Sequence, residues 1–153
     1  MTWLKELYYI FELKPYTTHI ARSLKKEGKL YMWDPAEVPD ESARFENLIA
    51  CHLLKACHLW TDSGEGEFNL HYLRNKDRRE IDFLILRDGI PWLPVEVKMS
   101  ATKPSPNWKN FLQSLPCNTG IQVCRHSGVY RDFEESGNRV IIVSTAALLE
   151  NLP

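Results

Sequence analysis

Two short apolar segments of this sequence carry charged residues where a buried strand should have none. Residues 81–86 read IDFLIL and residues 92–98 read WLPVEVK, and the turn sequence RDGI separates them. An ionised side chain in an apolar environment costs several kcal/mol unless it is paired or binds a metal ion. Asp82 on the first segment, and Glu96 and Lys98 on the second, therefore need compensating partners. This pattern favours a metal-dependent active site.

The faces of the two predicted strands decide whether these charges meet. Strand alternation places Asp82 on one face with Leu84 and Leu86, and it places Glu96 and Lys98 together on one face of the second strand. A two-residue turn at residues 88–89 would send the two acids to opposite faces. A three-residue loop over residues 88–90 would instead pair Asp82 with Glu96, and a bulge at Pro94 would also re-aim the strand. We expect one of these two corrections, because either lets the three charges converge.

Length and composition indicate one globular domain. The chain has 153 residues, 44% of them hydrophobic, which is enough to bury one core. We predict a single domain over residues 1–153, in which residues 1–40 extend a core formed by residues 41–153. The 19 Lys and Arg residues against 20 Asp and Glu residues give a net charge of −1, so any nucleic-acid binding must come from a local patch.

The four cysteines give an indication of the cellular compartment. They form no CxxC motif, and we find no signal peptide or long apolar segment, so we expect a reducing cytoplasm, no disulfides and no membrane partner. Zinc binding by Cys51, His52, Cys57 and His58 is an alternative, but their spacing places few of them on one helix face. We interpret these cysteines as small apolar residues of the core.

The hydrophobic periodicity predicts alternating strands and helices with a central sheet. Both charged strands are apolar on both faces, which indicates an α/β fold whose central mixed sheet has helices on each side. The core order is helix, three-stranded meander, helix, strand. The predicted strands cover residues 8–13, 29–33, 68–73, 81–86, 92–98, 120–124 and 139–143, and the predicted helices cover about 17–26, 41–60, 107–114 and 145–152.

The charged residues suit a hard-cation site. Asp82 and Glu96 would offer carboxylate oxygens to Mg²⁺ or Mn²⁺, and the carbonyl of Val97 lies between them as a third ligand. Lys98 could orient an attacking water, and Glu46, at the head of the apolar stripe of the long helix, points toward the sheet. The structural alternative is a buried ion pair of Lys98 with one acid, with Glu46 favourably placed in the helix dipole.

These residues resemble a known pattern. Asp82 followed by Glu96-Val97-Lys98, with Glu46 on a preceding helix, is similar to the PD-(D/E)XK nuclease signature. A closer resemblance covers most of the chain and includes the segments KLYMWD (29–34), RFENL (44–48), HLLK (52–55), REIDF (79–83) and VEVK (95–98). These segments resemble the C-terminal domain, of unknown function, of a group of bacterial and archaeal AAA+ type ATPases.

The resemblance implies a restriction endonuclease-like fold with a magnesium-dependent nuclease site formed by Asp82, Glu96, Lys98 and Glu46. The sequence contains no GxxxxGK[ST], so the phosphate-binding loop of those ATPases is missing. Two functions therefore stay open. One is a metal-dependent phosphodiesterase, and the other is a non-catalytic regulatory or interaction module with a residual nuclease-like site.

The candidate partners follow from these two functions. A nuclease would bind DNA or RNA, and the basic side chains nearest to Asp82 could contact its phosphates. These are Arg74, Lys76, Arg78 and Arg79. An interaction module would bind a separately encoded ATPase or a second subunit, for which the apolar residues Trp3, Leu4, Leu7 and Tyr8 are candidate contacts.

Overall fold

The main sheet of the protein has seven strands in the order β2, β4, β5, β6, β7, β9, β8. The computed structural model describes residues 2–16, 27–75, 79–100 and 103–153. The strands of this sheet are β2 (Pro15–Tyr16), β4 (Phe68–Arg74), β5 (Glu80–Arg87), β6 (Ile90–Lys98), β7 (Thr119–Cys124), β8 (Tyr130–Glu135) and β9 (Asn138–Ser144). A separate antiparallel pair consists of β1 (Ile10–Leu13) and β3 (Lys29–Met32).

Strand directions make the sheet a mixed one. The strands β4, β5 and β6 form an antiparallel meander, whereas β7 runs parallel to both β6 and β9. The helix α3 (Asn107–Leu112) lies in the crossover from β6 to β7. The predicted α/β fold, with a central mixed sheet flanked by helices, is therefore confirmed, as is the order of helix, meander, helix and strand.

The long helix α2 (Glu41–Asp62) covers one face of the sheet. Asp40 caps its first turn, since its carboxylate accepts a hydrogen bond from the backbone N–H of Ala43 (2.8 Å). Gly64, with a φ of +82°, follows the last turn in the left-handed conformation that ends many helices. The buried side of α2 is a stripe of residues at helical spacing, which holds the helix against the sheet.

Two hydrophobic clusters lie on opposite faces of the sheet. The cluster under α2 contains Phe83, Ile85 and Val95, together with residues of the β1–β3 pair. The cluster under α3 contains Ile81 and Leu84. On a regular strand, residues two positions apart lie on the same face. Ile81 and Phe83 belong to clusters on different faces, so β5 cannot alternate regularly at this point.

The sheet has two bulges, one in β5 where it pairs with β4 and one in β6 where it pairs with β5, and neither lies at the predicted position. The turn between β5 and β6 has only two central residues, Asp88 and Gly89, both at positive φ (52° and 77°), so the predicted three-residue loop is wrong. Ile85 pairs with Leu93 while Leu86 pairs with Pro91, which leaves Trp92 as the bulged residue. The predicted bulge at Pro94 is also wrong, because Pro94 pairs regularly with Leu84.

Other elements differ from the sequence prediction at the ends of the chain. The short helices α1 (Thr2–Glu6) and α4 (Thr145–Leu149), the 3-10 turn Pro35–Glu37 and the strand β8 complete the architecture. We did not predict β8, because residues 130–135 are largely exposed and charged and give no apolar signal. The helix predicted at about residues 17–26 lies outside the described residues.

Close packing between α3 and β7 depends on Gly120. A Cβ atom at Gly120 would overlap with Cζ3 of Trp108, whose buried indole donates a hydrogen bond to Gln122 (3.0 Å). We expect Gly120→Ala to lower the free energy of unfolding by about 2 kcal/mol, because the indole must move out of a filled site. Urea unfolding measures this loss. The loss should shrink in a Trp108→Phe background, and equal losses in both backgrounds would contradict this steric cause.

Candidate functional site

Asp82 lies in a bulge of β5 that turns it toward α2. His71 pairs with Leu84 and Leu73 pairs with Ile81, so Asp82 and Phe83 together oppose one residue of β4. The bulge moves Ile81 to the α3 face, and Asp82 consequently leaves the face of Leu84 on which regular alternation placed it. One carboxylate oxygen of Asp82 accepts a hydrogen bond from the backbone N–H of Val97 (2.8 Å), which ties the bulge to β6.

The ammonium group of Lys29 lies between three carboxylates on the α2 side. Its Nζ atom is 3.4 Å from Glu46 Oε1, 3.4 Å from Glu80 Oε2 and 3.9 Å from Asp82 Oδ1. The hydroxyl of Tyr31 also donates a hydrogen bond to Glu46 Oε1 (2.7 Å). We call Lys29, Tyr31, Glu46, Glu80 and Asp82 the Lys29 cluster. Three elements supply it, namely β3, α2 and β5.

The electrostatics of the Lys29 cluster are dominated by its acids. Burial, followed by repulsion from Glu46, raises the pKa of Asp82 to about 6. Burial alone would lower the pKa of Lys29, but Glu46, Asp82 and Glu80 outweigh it and raise that pKa. Burial and the charge of Glu46 also raise the pKa of Tyr31. The ammonium group of Lys29 is therefore stabilised by the three carboxylates around it.

Glu96 and Lys98 form the second half of the site, on the α3 side. Lys98 Nζ lies 2.7 Å from Glu96 Oε1, so the predicted shared face of these two residues is confirmed. Glu96 is only 1% exposed, whereas the side chain of Lys98 is 42% exposed. Asn107 of α3 donates a long hydrogen bond to the same Glu96 oxygen (3.5 Å). Glu96 Oε2 is buried and has no hydrogen-bond partner among the described residues.

The two halves meet where the β5–β6 ladder ends. Phe83 pairs with Val95, and Asp82 and Glu96 are the next residues beyond this last pair. The expectation that Asp82 joins Glu96 and Lys98 on one face is wrong, because the bulge in β5 directs it to the α2 side. The charge of Glu96 nevertheless lies near enough to raise the pKa of Asp82. The peptide of Val97 runs between the two acids.

A divalent cation at this site would need several oxygen ligands around one point. No group of three His, Cys, Asp or Glu side chains within residues 2–16, 27–75, 79–100 and 103–153 has metal-ligand geometry. The buried and unpartnered Glu96 Oε2 does fit a cation, since an orphan carboxylate oxygen in the interior is costly. The predicted ligands of Mg²⁺ or Mn²⁺ are Asp82, Glu96 and the Val97 carbonyl, but Asp82 is directed to the α2 side and Glu96 to the α3 side, so a shared ion requires one of these side chains to turn.

Two of the four basic residues predicted to contact phosphates are described. Arg74 Nη2 lies 2.5 Å from Glu80 Oε1 and its guanidinium covers the ring of Tyr72, so Arg74 is engaged with the edge of the Lys29 cluster. Arg79 is exposed, and its backbone bonds to Asn75. Lys76 and Arg78 lie outside the described residues.

The cysteines and histidines of α2 do not surround a common point in the described structure. Cys57 is buried within the core under α2, and burial raises the pKa of its thiol to about 12. Cys51 contacts the backbone carbonyl of Met32. These placements match the interpretation of the cysteines as small core residues.

Four residues of the site were missed at the level of sequence, namely Lys29, Tyr31, Glu80 and Asn47. Lys29 and Tyr31 lie on the same side of β3, and both belong to the KLYMWD segment, but 47 residues separate the end of β3 from the start of β5. Asn47 was missed as well. It is 3% exposed and forms two hydrogen bonds with the backbone of Met32 (2.8 and 2.7 Å), which fasten β3 to α2.

A cleft of about 410 Å³ opens beside the Lys29 cluster. Its lining includes Lys29, Tyr31 and Glu46 of the cluster, together with Val38 and Pro39. The cleft gives solvent and small ligands a route to the carboxylates. Its walls are mostly apolar, and its charged lining residues are Lys29, Glu37 and Glu46.

The fold and the site define a mixed α/β domain with a carboxylate and lysine cluster at the end of two central strands. The chain belongs to the DUF4143 family, a domain of unknown function, whose profile matches residues 41–146. No curated protein and no solved structure matches the chain significantly. Within the described residues, no helix is both long and apolar enough to cross a membrane.

Proposed function

We propose that this domain is a divalent-metal-dependent phosphodiesterase that acts on DNA or RNA. The observation that carries the proposal is Glu96, a fully buried carboxylate with one oxygen unpartnered among the described residues and with Lys98 against the other. A buried carboxylate is costly unless its charge is compensated, and Mg²⁺ or Mn²⁺ bound at the unpartnered oxygen would compensate it. The similarity of Asp82, Glu96-Val97-Lys98 and Glu46 to the PD-(D/E)XK signature supports the same chemistry.

The position of each residue indicates its role in this reaction. When bound, a divalent cation polarises a phosphate oxygen and lowers the pKa of a coordinated water. Lys98 is half exposed, and only one of its N–H groups is needed for Glu96, so it can donate a hydrogen bond to the attacking water or to a phosphate oxygen. The oxygen of water would bond to phosphorus as the bond from phosphorus to the leaving oxygen breaks, with the water giving up one proton to solvent and the leaving oxygen taking one from solvent.

Glu46 has an indirect role, because its contacts are with Tyr31 and Lys29 and not with Glu96 or Lys98. Its Oε1 atom is already held by Tyr31 and Lys29, which orient the carboxylate toward Asp82. The charge of Glu46 lies near enough to raise the pKa of Asp82, and a second negative charge beside Asp82 favours the uptake of a cation. The exposed Arg79 lies close in sequence to Asp82 and is a candidate contact for the phosphates that flank the cleaved bond.

The test is metal binding together with cleavage by the full chain. We expect calorimetry to show Mn²⁺ binding, and labelled DNA and RNA to be cut with Mn²⁺ or Mg²⁺ but not with excess EDTA. Single-stranded and double-stranded forms of both substrates define the preferred one. Failure to bind Mn²⁺ would overturn the proposal.

A second candidate is a non-catalytic module that docks a partner ATPase. It is favoured by the exposed apolar side chains of Trp3, Leu7 and Tyr8, which are 63%, 68% and 76% exposed. The resemblance to ATPase-associated domains supports this class of partner. The same calorimetry separates the candidates, because a docking module needs no metal and keeps its partner affinity in Asp82→Asn.

A further inference from the structure

A second cavity, of about 660 Å³, opens between α3 and the hairpin of β8 and β9. Its apolar lining includes Trp108 and Leu112 of α3, Phe133 of β8 and Val140 of β9. Phe133 is partly exposed, so its ring is accessible to a ligand, whereas the other three side chains are buried. Ligand sites commonly have volumes of about 300–1,000 Å³ and mostly apolar walls. The cavity therefore suits a small ligand with a flat, apolar part.

One buried glutamine fixes the α3 side of this cavity. Gln122 of β7 is fully buried, and its Oε1 atom accepts hydrogen bonds from the backbone N–H of Ser105 (2.7 Å) and the indole N–H of Trp108 (3.0 Å). Its Nε2 atom donates to the backbone carbonyl of Lys103 (3.0 Å). All three partners of Gln122 line the cavity. This side of the cavity is therefore formed before a ligand binds, which lowers the entropic cost of binding.

The charged residues that line the cavity are separated by sign. Lys103 and Lys109, which are exposed, belong to α3 and the segment before it, whereas the exposed Glu134 and Glu135 end β8. A complementary ligand is anionic at one end and carries hydrogen-bond donors at the other. A nucleotide has this form, because its phosphate is anionic, its base is flat, and cytosine, adenine and guanine carry an amino group.

The cavity adjoins the Glu96 half of the site. Asn107, the first residue of α3, donates hydrogen bonds to the backbone carbonyl of Glu80 (2.9 Å) and to Glu96 Oε1 (3.5 Å). The next residue, Trp108, lines the cavity. A nucleic-acid strand with one phosphate at Glu96 and Lys98 would therefore have a neighbouring nucleotide at the cavity.

We infer that this cavity binds an unpaired nucleobase of the substrate, so that the domain acts on single-stranded nucleic acid. The base stacks on Phe133, and its amino group donates a hydrogen bond to Glu134 or Glu135. The attached phosphate contacts Lys103 or Lys109. A base within a duplex is stacked and paired, so it cannot enter the cavity or present this edge. The inference rests on the proposed function, because a nucleic-acid substrate is what brings a base to the cavity.

The experiment measures binding in EDTA, so that no strand is cut. Full-length protein is titrated into labelled oligo(dC), oligo(dT) or a duplex, each about 12 nucleotides long, and fluorescence anisotropy gives the affinities. We expect the single strands to bind about 10-fold more tightly than the duplex, since stacking of an unpaired base is worth about that much. Oligo(dC) should bind more tightly than oligo(dT), because thymine has no amino group.

Three substitutions separate the contacts of the base. Phe133→Ala should weaken the binding of both single strands about 10-fold, through the loss of stacking. Glu134→Ala combined with Glu135→Ala should remove the preference for oligo(dC) over oligo(dT) and leave the affinity for oligo(dT) at least as high as before. Thermal melting shows that each variant is folded.

The phosphate contact has its own variant and control. Lys103→Ala combined with Lys109→Ala should weaken binding of both single strands and reduce its salt dependence. Lys55→Ala, which removes an exposed lysine of α2, should change neither. Equal affinity for duplex and single strands would overturn the inference, and so would unchanged binding in both the lysine double variant and a folded Phe133→Ala. Binding that meets these expectations in a protein that takes up no Mn²⁺ would instead overturn the proposed function alone.

Discussion

Glu96→Gln lowers the rate of metal-dependent phosphodiester cleavage by about 1,000-fold or more and abolishes Mn²⁺ binding, while the domain stays folded. Glutamine has the size of glutamate, so it fits the same buried site and can still accept the hydrogen bonds of Lys98 and Asn107. It lacks the negative charge that a hard divalent cation requires. The loss of rate follows from the loss of the polarising ion at the transition state.

The stability of Glu96→Gln should change little. A neutral amide is cheaper to bury than a carboxylate, and this gain offsets the weakened contact with Lys98, so we expect a change within about 1 kcal/mol. Thermal melting monitored by circular dichroism measures it. Glu150→Gln, which alters an exposed glutamate far along the chain, is the matched control and should keep both metal binding and cleavage.

Lys98→Met separates the roles within this pair. Removal of the ammonium group takes away the donor to water or phosphate, so cleavage should fall about as far as in Glu96→Gln. Binding of Mn²⁺ should persist, because Glu96 keeps its charge and has lost its competing partner. Undiminished cleavage in both variants would place the reaction outside this site.

The sequence predicted the acids of the site better than their arrangement. Asp82, Glu96 and Lys98 stood out because charges interrupt apolar strands, and this signal depends only on local composition. The shared face of Glu96 and Lys98 also followed from strand alternation alone. Such features are local, and the structure confirms the shared face of Glu96 and Lys98.

The direction of Asp82 depends on long-range packing. The bulge that turns it toward α2 arises where β5 must pair with β4 and β6 at once, with Ile81 under α3 and Phe83 under α2. No residue of β5 marks this bulge, since glycine is absent from the strand. Lys29 was missed for the same reason, because only the folded chain brings β3 next to β5.

The last prediction concerns Asn47, which holds that distant strand in place. Its side-chain oxygen accepts the N–H of Met32 at 2.8 Å, and its amide nitrogen donates to the carbonyl of Met32 at 2.7 Å. Both bonds connect α2 to β3, which carries Lys29 and Tyr31. A single asparagine therefore sets the distance between Glu46 on the helix and its two partners on the strand.

We expect Asn47→Ala to lower the free energy of unfolding by about 2–4 kcal/mol. Two hydrogen bonds are lost and two partly buried backbone groups are left unsatisfied, which far exceeds the gain of about 0.5 kcal/mol from the better helix propensity of alanine. Urea unfolding measures the loss, and the backbone amide of Met32 should exchange its hydrogen faster. Asn69→Ala, at an exposed position of β4, should change stability by less than about 0.5 kcal/mol.

Asn47→Asp, which removes only one of the two hydrogen bonds, tests whether these bonds cause the stability loss. Aspartate can still accept from the N–H of Met32 but cannot donate to its carbonyl, and it adds a charge near Glu46. We expect its stability loss to equal or exceed that of alanine, with the Met32 amide still protected from exchange. If Asn47→Ala left both the stability and the exchange rate of the Met32 amide unchanged, β3 would be held by its apolar contacts. The two hydrogen bonds of Asn47 would then have no part in positioning Lys29.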